Sequence, residues 1–164
     1  MRLRFLCKGI LGCLVLCLNF GTMHAQSDSL PIITGTLNDT LFQTEWFRTW
    51  SQNEAYQPDA ALLEALKSVP ASEIRVDVYM GTWCSDSQLH VPAFLKIAAA
   101  LHWQFRMVGV NREKECPFEK KDCKTWDIQY LPTFVLFRNG QELGRIVEQP
   151  QQRLEQDFLK MLQP

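Results

Sequence analysis

The sequence predicts an α/β domain, a central mixed β-sheet flanked by helices on both faces, with an N-terminal helical extension. Three observations carry this. Two strand-like segments, Ile74 to Met80 and Phe105 to Val110, bracket one long helical stretch, and a strand–helix–strand unit implies a parallel pair with a right-handed crossover. Thr133 to Phe137 and Gln141 to Val147 flank Asn139-Gly140, whose residues both tolerate positive φ, so they form a hairpin that adds antiparallel strands. After Pro150 a last helix puts Leu154, Phe158, Leu159 and Leu162 on one face.

In chain order, the first 25 residues are unlike the rest. Arg2, Arg4 and Lys8 make a basic start, an apolar run follows from Gly9 to Phe20, and small or polar residues lead to Ala25. That is the layout of a secretory signal peptide cleaved after Ala25. The apolar run is shorter than the roughly 20 residues a bilayer span needs, so no stable membrane anchor is expected after cleavage. A lipoprotein reading would use Cys13, but too little apolar sequence precedes it. Residues 1–25 are therefore read as a signal peptide, 26–72 as an extension with the first helices, and 73–164 as the core. The expected location is exported, either periplasmic or extracellular.

Within 26–72, a first strand is expected near Ile32 to Leu37. Leu41 to Trp50 then places Phe42, Trp46 and Trp50 at i, i+4 and i+8, one helical face packed on a core rather than a ligand patch. Pro58-Asp59 opens another helix with Leu62, Leu63 and Leu66 inward and Pro70 beyond its end. Ile74 to Met80 is β-branched and alternates at its start, and Gly81-Thr82 breaks it. The long helix runs from about Ser85 to His102. Arg112 to Lys121 is a charged loop leading to a short helix near Trp126.

Charge is mixed along the chain, with a formal net charge of −1. Losing Arg2, Arg4 and Lys8 but no acid takes this to about −4, so a nucleic-acid partner is not expected. Of the six cysteines, Cys84, Cys116 and Cys123 remain after cleavage, an odd number that suggests one pair and one reactive thiol. No tight Cys/His cluster suggests a metal, and nothing in the sequence calls for a cofactor.

The informative segment is Gly81-Thr82-Trp83-Cys84-Ser85-Asp86-Ser87. Cys84 falls where a strand gives way to a helix, and the unpaired N–H groups and partial positive charge of a helix N-terminus favour thiolate over thiol. Trp83-Cys84-x-x-Ser87 resembles the Trp-Cys-x-x-Cys motif of thioredoxins, with serine for the second cysteine. Pro92, eight residues after Cys84, matches the proline that kinks the family's active-site helix. Leu131-Pro132-Thr133 resembles the cis-proline loop that faces the reactive thiol. Phe137-Arg138-Asn139-Gly140, Gly144 and the last helix complete a likeness over roughly Ile74 to Leu162. The wording of 81–87 and of Arg145-Ile146-Val147-Glu148 is similar to a group of exported bacterial members.

The resemblance implies thiol–disulfide exchange with protein or small-molecule thiols and disulfides as partners, Cys84 as nucleophile and Pro132 opposite it. Trp83 would be a packing or substrate-contact residue. Ser87 cannot expel a mixed disulfide as a second thiol does, but it can donate a hydrogen bond to the Cys84 thiolate. Thioredoxins also bury an acid six residues before the first cysteine. Val78 stands there, and Asp77, one residue off, should face the other side of the sheet. Cys116 and Cys123 either bridge across the charged loop or supply a resolving thiol. Asp86 reads as a first-turn acid, His90 as a surface or packing residue, and His102 as the end of the helix. Without a resolving thiol, the alternative is a non-catalytic module holding an extended peptide in the groove between Trp83 and Pro132.

Overall fold

The computed structural model describes residues 31–51, 56–113 and 127–163. Within them the chain runs β1 (Gly35–Leu37), a 3-10 turn (Asp39–Gln43), α1 (Glu45–Ser51), α2 (Ala60–Leu66), a second 3-10 turn (Ala71–Glu73), β2 (Ile74–Met80), α3 (Ser85–Leu101), β3 (Gln104–Gly109), β4 (Thr133–Arg138), β5 (Gln141–Val147) and α4 (Leu154–Leu162). The strands form one sheet in the order β1-β3-β2-β4-β5, with β2 and β3 parallel and the other neighbours antiparallel. This is the mixed sheet with flanking helices that the sequence predicts, and β2 lies at its centre.

Side chains alternate across a strand, so β2 feeds two cores. Val76, Val78 and Met80 enter the larger one, where they meet Val91, Phe94 and Ile97 of α3 and Leu154 and Phe158 of α4. Phe47 and Trp50 of α1 and Leu66 of α2 join the same core. Tyr79 enters a smaller core on the opposite face with Val108, Val110, Ile128, Leu131, Val135 and Phe137. Trp83 and Cys84 pack against that smaller core, so the segment after β2 closes one end of it.

Asp77 shares its side of the strand with Tyr79. It is buried, with Arg106 of β3 at 2.9 Å and Arg75 at 3.3 Å. β2 pairs with both neighbours without a break in register, so Val78 faces the other way, into the larger core. The acid is a structural ion pair within the sheet.

Two expected elements are corrected. The helix over 41–50 is interrupted at Thr44, whose backbone is extended (φ −69, ψ 151). Its amide and its hydroxyl both donate to the Leu41 carbonyl, at 3.1 and 2.6 Å, and close the 3-10 turn instead of continuing it. Phe42 therefore lies on the turn and Trp46 on α1, so no single helix carries Phe42, Trp46 and Trp50. The core pair on α1 is Phe47 and Trp50, edge to face at 4.7 Å. The first strand is also shorter than 32–37, because the main chain at Pro31 and Ile33 bonds to the Thr82 side chain rather than to a ladder. Only Gly35–Leu37 pairs with β3. The strap approaches so closely that a Cβ on Gly109 would lie 2.4 Å from the Ile33 carbonyl oxygen, which explains a glycine at the end of β3.

β2 to β5 and α3 match to within a residue, whereas α2 ends at Leu66, short of Pro70, and α4 opens at Leu154. Asp59 caps α2 by accepting from the amides of Ala61 and Leu62, at 2.9 and 3.0 Å. α3 stops at Leu101, with His102 left-handed (φ 54) as its cap. β3 spans 104–109, and the Val110 amide still bonds to the Met80 carbonyl at 2.9 Å. Asn139 (φ 52) and Gly140 (φ 81) make the hairpin turn. Residues 1–25, read from the sequence as a signal peptide, and Cys116, Cys123, Trp126 and the charged loop beyond 113 lie outside the described residues.

Glu155 at the start of α4 is fully buried but satisfied. The Tyr56 hydroxyl donates to Oε2, the Asp59 amide donates to Oε1 at 2.8 Å, and Arg153 lies 3.4 Å from Oε1. Lys96 of α3 donates to the Tyr56 carbonyl at 2.9 Å, so the cluster ties 56–59 to α3 and α4. Burial pushes the Glu155 carboxyl up, but the Tyr56 hydroxyl, the backbone amides and Arg153 outweigh it and hold the group below its ordinary value. Tyr56 is raised, first by burial and then by Glu155. A folded-state value below the unfolded one means that Glu155 stabilises fully above the unfolded carboxylate range and loses this as pH falls through the folded value. Tyr56→Phe, which strips one donor from the buried carboxylate, should cost about 1–3 kcal/mol in urea unfolding at neutral pH. Glu155→Gln should flatten the acid-side loss of stability between neutral pH and about pH 3.

Candidate active site

Four residues carry the chain from the end of β2 to the start of α3. The Cys84 amide donates to the Gly81 carbonyl at 3.0 Å, and the Gln88 amide donates to the Cys84 carbonyl at 3.0 Å, opening the helix. Cys84 is the N-cap residue (φ −94, ψ 122), and its side chain makes no capping bond, so the sulfur is left to other partners. It is half-buried, and Sγ–H donates to the Leu131 carbonyl at 3.4 Å. The thiol thus stands at a helix N-terminus, where orphan amides and the macrodipole favour a negative charge.

The Leu131–Pro132 peptide is cis. Pro132 is buried, and its carbonyl accepts from the Glu148 amide at 2.7 Å. Thr133 Oγ1 donates to the Tyr130 carbonyl at 2.7 Å. The loop facing the thiol is therefore held at both ends.

Trp83 Nε1 donates to the Val110 carbonyl at 3.0 Å, and the Arg112 guanidinium carbon sits 4.9 Å from the indole centre. The indole also crowds the start of the turn. A Cβ on Gly81 would lie 2.9 Å from Trp83 Cε2 and 3.2 Å from Cys84 Cβ, so only glycine fits there without movement. Thr82 is buried and holds the N-terminal strap: Oγ1 donates to the Pro31 carbonyl at 2.7 Å and accepts from the Ile33 amide at 3.2 Å.

Of the residues singled out in the sequence, Cys84, Trp83 and the Pro132 loop come together on the smaller core. Ser87 is fully buried, and its hydroxyl oxygen accepts from the Gly81 amide at 3.2 Å, a bond to the turn that leaves its O–H as a donor. His90 is half-buried on α3. Burial pushes its imidazole down against the opposing pull of Asp86, one turn earlier. The sequence reading missed Arg112, Thr82 and the carbonyls of Leu131 and Val110. Arg112 was legible only as the first residue of a charged loop, and main-chain carbonyls leave no signal in side-chain identity.

The thioredoxin family model matches residues 59–160, which spans β2, the Cys84 turn, α3, the cis-proline loop and the hairpin. The chain belongs to the thioredoxin family. A tobacco (Nicotiana tabacum) protein, thioredoxin H-type 1, is 27% identical over 60% of this chain and 74% of its own length. A thioredoxin-like protein of Synechocystis is 32% identical over 51% of this chain and 76% of its own length. The crystal structure of a protein of unknown function from Pseudomonas aeruginosa superposes with a TM-score of 0.50 at 19% identity, over 76% of this chain and 77% of that one, a likeness of fold. Thioredoxin-family chemistry is thiol redox, and Cys84 lies within the matched range.

The packing of Trp83 on Gly81 yields a direct test. Gly81→Ala should lower stability by about 1–3 kcal/mol in urea unfolding, because the added methyl overpacks against the indole. In a Trp83→Ala background the same change should cost measurably less, and the difference between the two costs is the coupling.

Proposed function

We propose that this chain is an exported thiol-redox protein that acts through a single cysteine. The observation that carries the reading is Cys84 at the start of α3, its sulfur on the Leu131 carbonyl of the cis-proline loop, with Ser87 at the motif's second position. The Cys84 thiolate attacks one sulfur of a partner disulfide. The Cys84–partner S–S bond forms as the partner's own S–S bond breaks, and the departing thiolate takes a proton from solvent. A second thiol then attacks the mixed disulfide and releases the Cys84 thiolate. Because serine has no such reactivity, that thiol comes from the substrate, a small molecule or Cys116 or Cys123. Partners are protein or small-molecule thiols and disulfides. The basic, then apolar, then small-residue order of residues 1–25 supports export to the periplasm or the extracellular space.

Two variants test this in the chain without its first 25 residues. Incubation with hydroxyethyl disulfide followed by mass mapping should place an adduct on Cys84, and Cys84→Ala should remove it. Ser87→Cys should raise catalytic insulin reduction by roughly tenfold or more, because it supplies the missing resolving thiol. Wild-type turnover already equal to that of Ser87→Cys would sink the single-cysteine mechanism. Partner capture that survives Cys84→Ala without any adduct would favour the peptide-binding module instead.

A further inference from the structure

The most unusual contact near the thiol is the one over Trp83. Arg75, Arg106, Arg138, Arg145 and Arg153 each meet a carboxylate. Arg112 instead lies against an indole face, and no acid meets its guanidinium among the described residues. Trp83 is not free to drift under it. Nε1 is tied to the Val110 carbonyl, and the ring packs where any Cβ on Gly81 would stand. Arg112 follows Val110 by two residues, so cation and platform are fixed to the same strand end. The side chain is exposed, its guanidinium lies over the indole face, and among the described residues no acid occupies its N–H donors.

We infer that Arg112 is a specificity-determining residue that selects disulfides carrying a carboxylate close to the reacting sulfur. This rests on Cys84 being the exchanging thiol. A guanidinium presents parallel donors that match a carboxylate, and the residue it stacks on is the immediate neighbour of Cys84. On this inference a carboxylate near the sulfur under attack pairs with Arg112 while that sulfur meets Cys84 Sγ. The exchange itself is unchanged: the new S–S bond forms on Cys84, and the anionic fragment leaves as its thiolate.

The test compares dithiodiglycolate, a dianionic disulfide, with neutral hydroxyethyl disulfide, reading Cys84 adduct formation by intact mass after acid quench. The ratio of the dianion rate to the neutral rate should fall roughly fivefold in Arg112→Gln at low ionic strength, and the difference should shrink as salt is raised. Arg112→Glu should lower the ratio further. A second pair, cystine-linked peptides with Asp or Asn beside the cysteine, separates sources: a shift in that ratio assigns acidic polypeptides, and a shift only in the small-molecule ratio assigns small thiol acids. Ratios equal in wild type and both variants would overturn the inference. Equal slowing of both probes would overturn it too, because Arg112 would then act on the thiol and not on the substrate. Failure of both probes to modify Cys84 in the wild type is a different result, and it removes the thiol-exchange reading itself; failure of the dianion alone overturns the inference.

Discussion

β2 is hydrogen-bonded along both edges, to β3 in parallel and to β4 in antiparallel, and this double pairing fixes the point from which the site is built. The Tyr79 level of β2 sits opposite Val108 of β3 and Thr133 of β4. One step further along, the Val110 amide bonds to Met80, while the Val110 carbonyl takes the Trp83 indole. Thr133 opens β4 directly after the cis-proline loop whose Leu131 carbonyl meets Cys84. Three strand ends thus hold the thiol, its aromatic neighbour and the facing loop in one register. A slip of one residue at β2 would turn Tyr79 and Val78 to the wrong cores and take the turn with them.

The elements that could be read from the sequence are those whose signals are local. β2, β5 and the Asn139-Gly140 turn follow from alternation, β-branched content and the need for positive φ. Asp59 marks the start of α2 because its capping partners are two and three residues away. The misplaced elements depend on competition that periodicity does not register. Thr44 diverts the Leu41 carbonyl with its own hydroxyl and splits a helix that the aromatic spacing would continue. Thr82 captures the main chain at Pro31 and Ile33 from about fifty residues away, which no local pattern could reveal. The motif marks Trp83 and Cys84, but the groups that meet them are the carbonyls of Val110 and Leu131, with Arg112 over the indole.

Asp77 shows how a fold-level likeness and a residue-level role come apart. The acid is as buried as a proton-transfer group would be, yet strand geometry sends it to the face opposite Val78 and into a pair with Arg106. The larger core beneath α3 is left apolar at that level, with Val76, Val78 and Met80 against Phe94 and Ile97. Among the described residues, the groups beside the thiol are the start of α3 and the Leu131 carbonyl, and Asp77 is not one of them.

Ser87 has a second consequence beyond missing sulfur chemistry. Its oxygen accepts from the Gly81 amide at the far end of the turn that Cys84 closes, so it stiffens the platform on which the thiol stands. A thiol in its place would be a poorer acceptor for that amide, because sulfur is the weaker partner. At this position, resolving chemistry and a well-held turn therefore compete for one side chain. On the proposed mechanism this chain keeps the turn, and release passes to a thiol that approaches from outside the motif. The approach is restricted, since Cys84 is packed on the smaller core on one side and faces the Leu131 carbonyl on another. On the same proposal, a releasing thiol that reaches Cys84 past Trp83 also passes Arg112, so the residue proposed to select the substrate would bear on release as well.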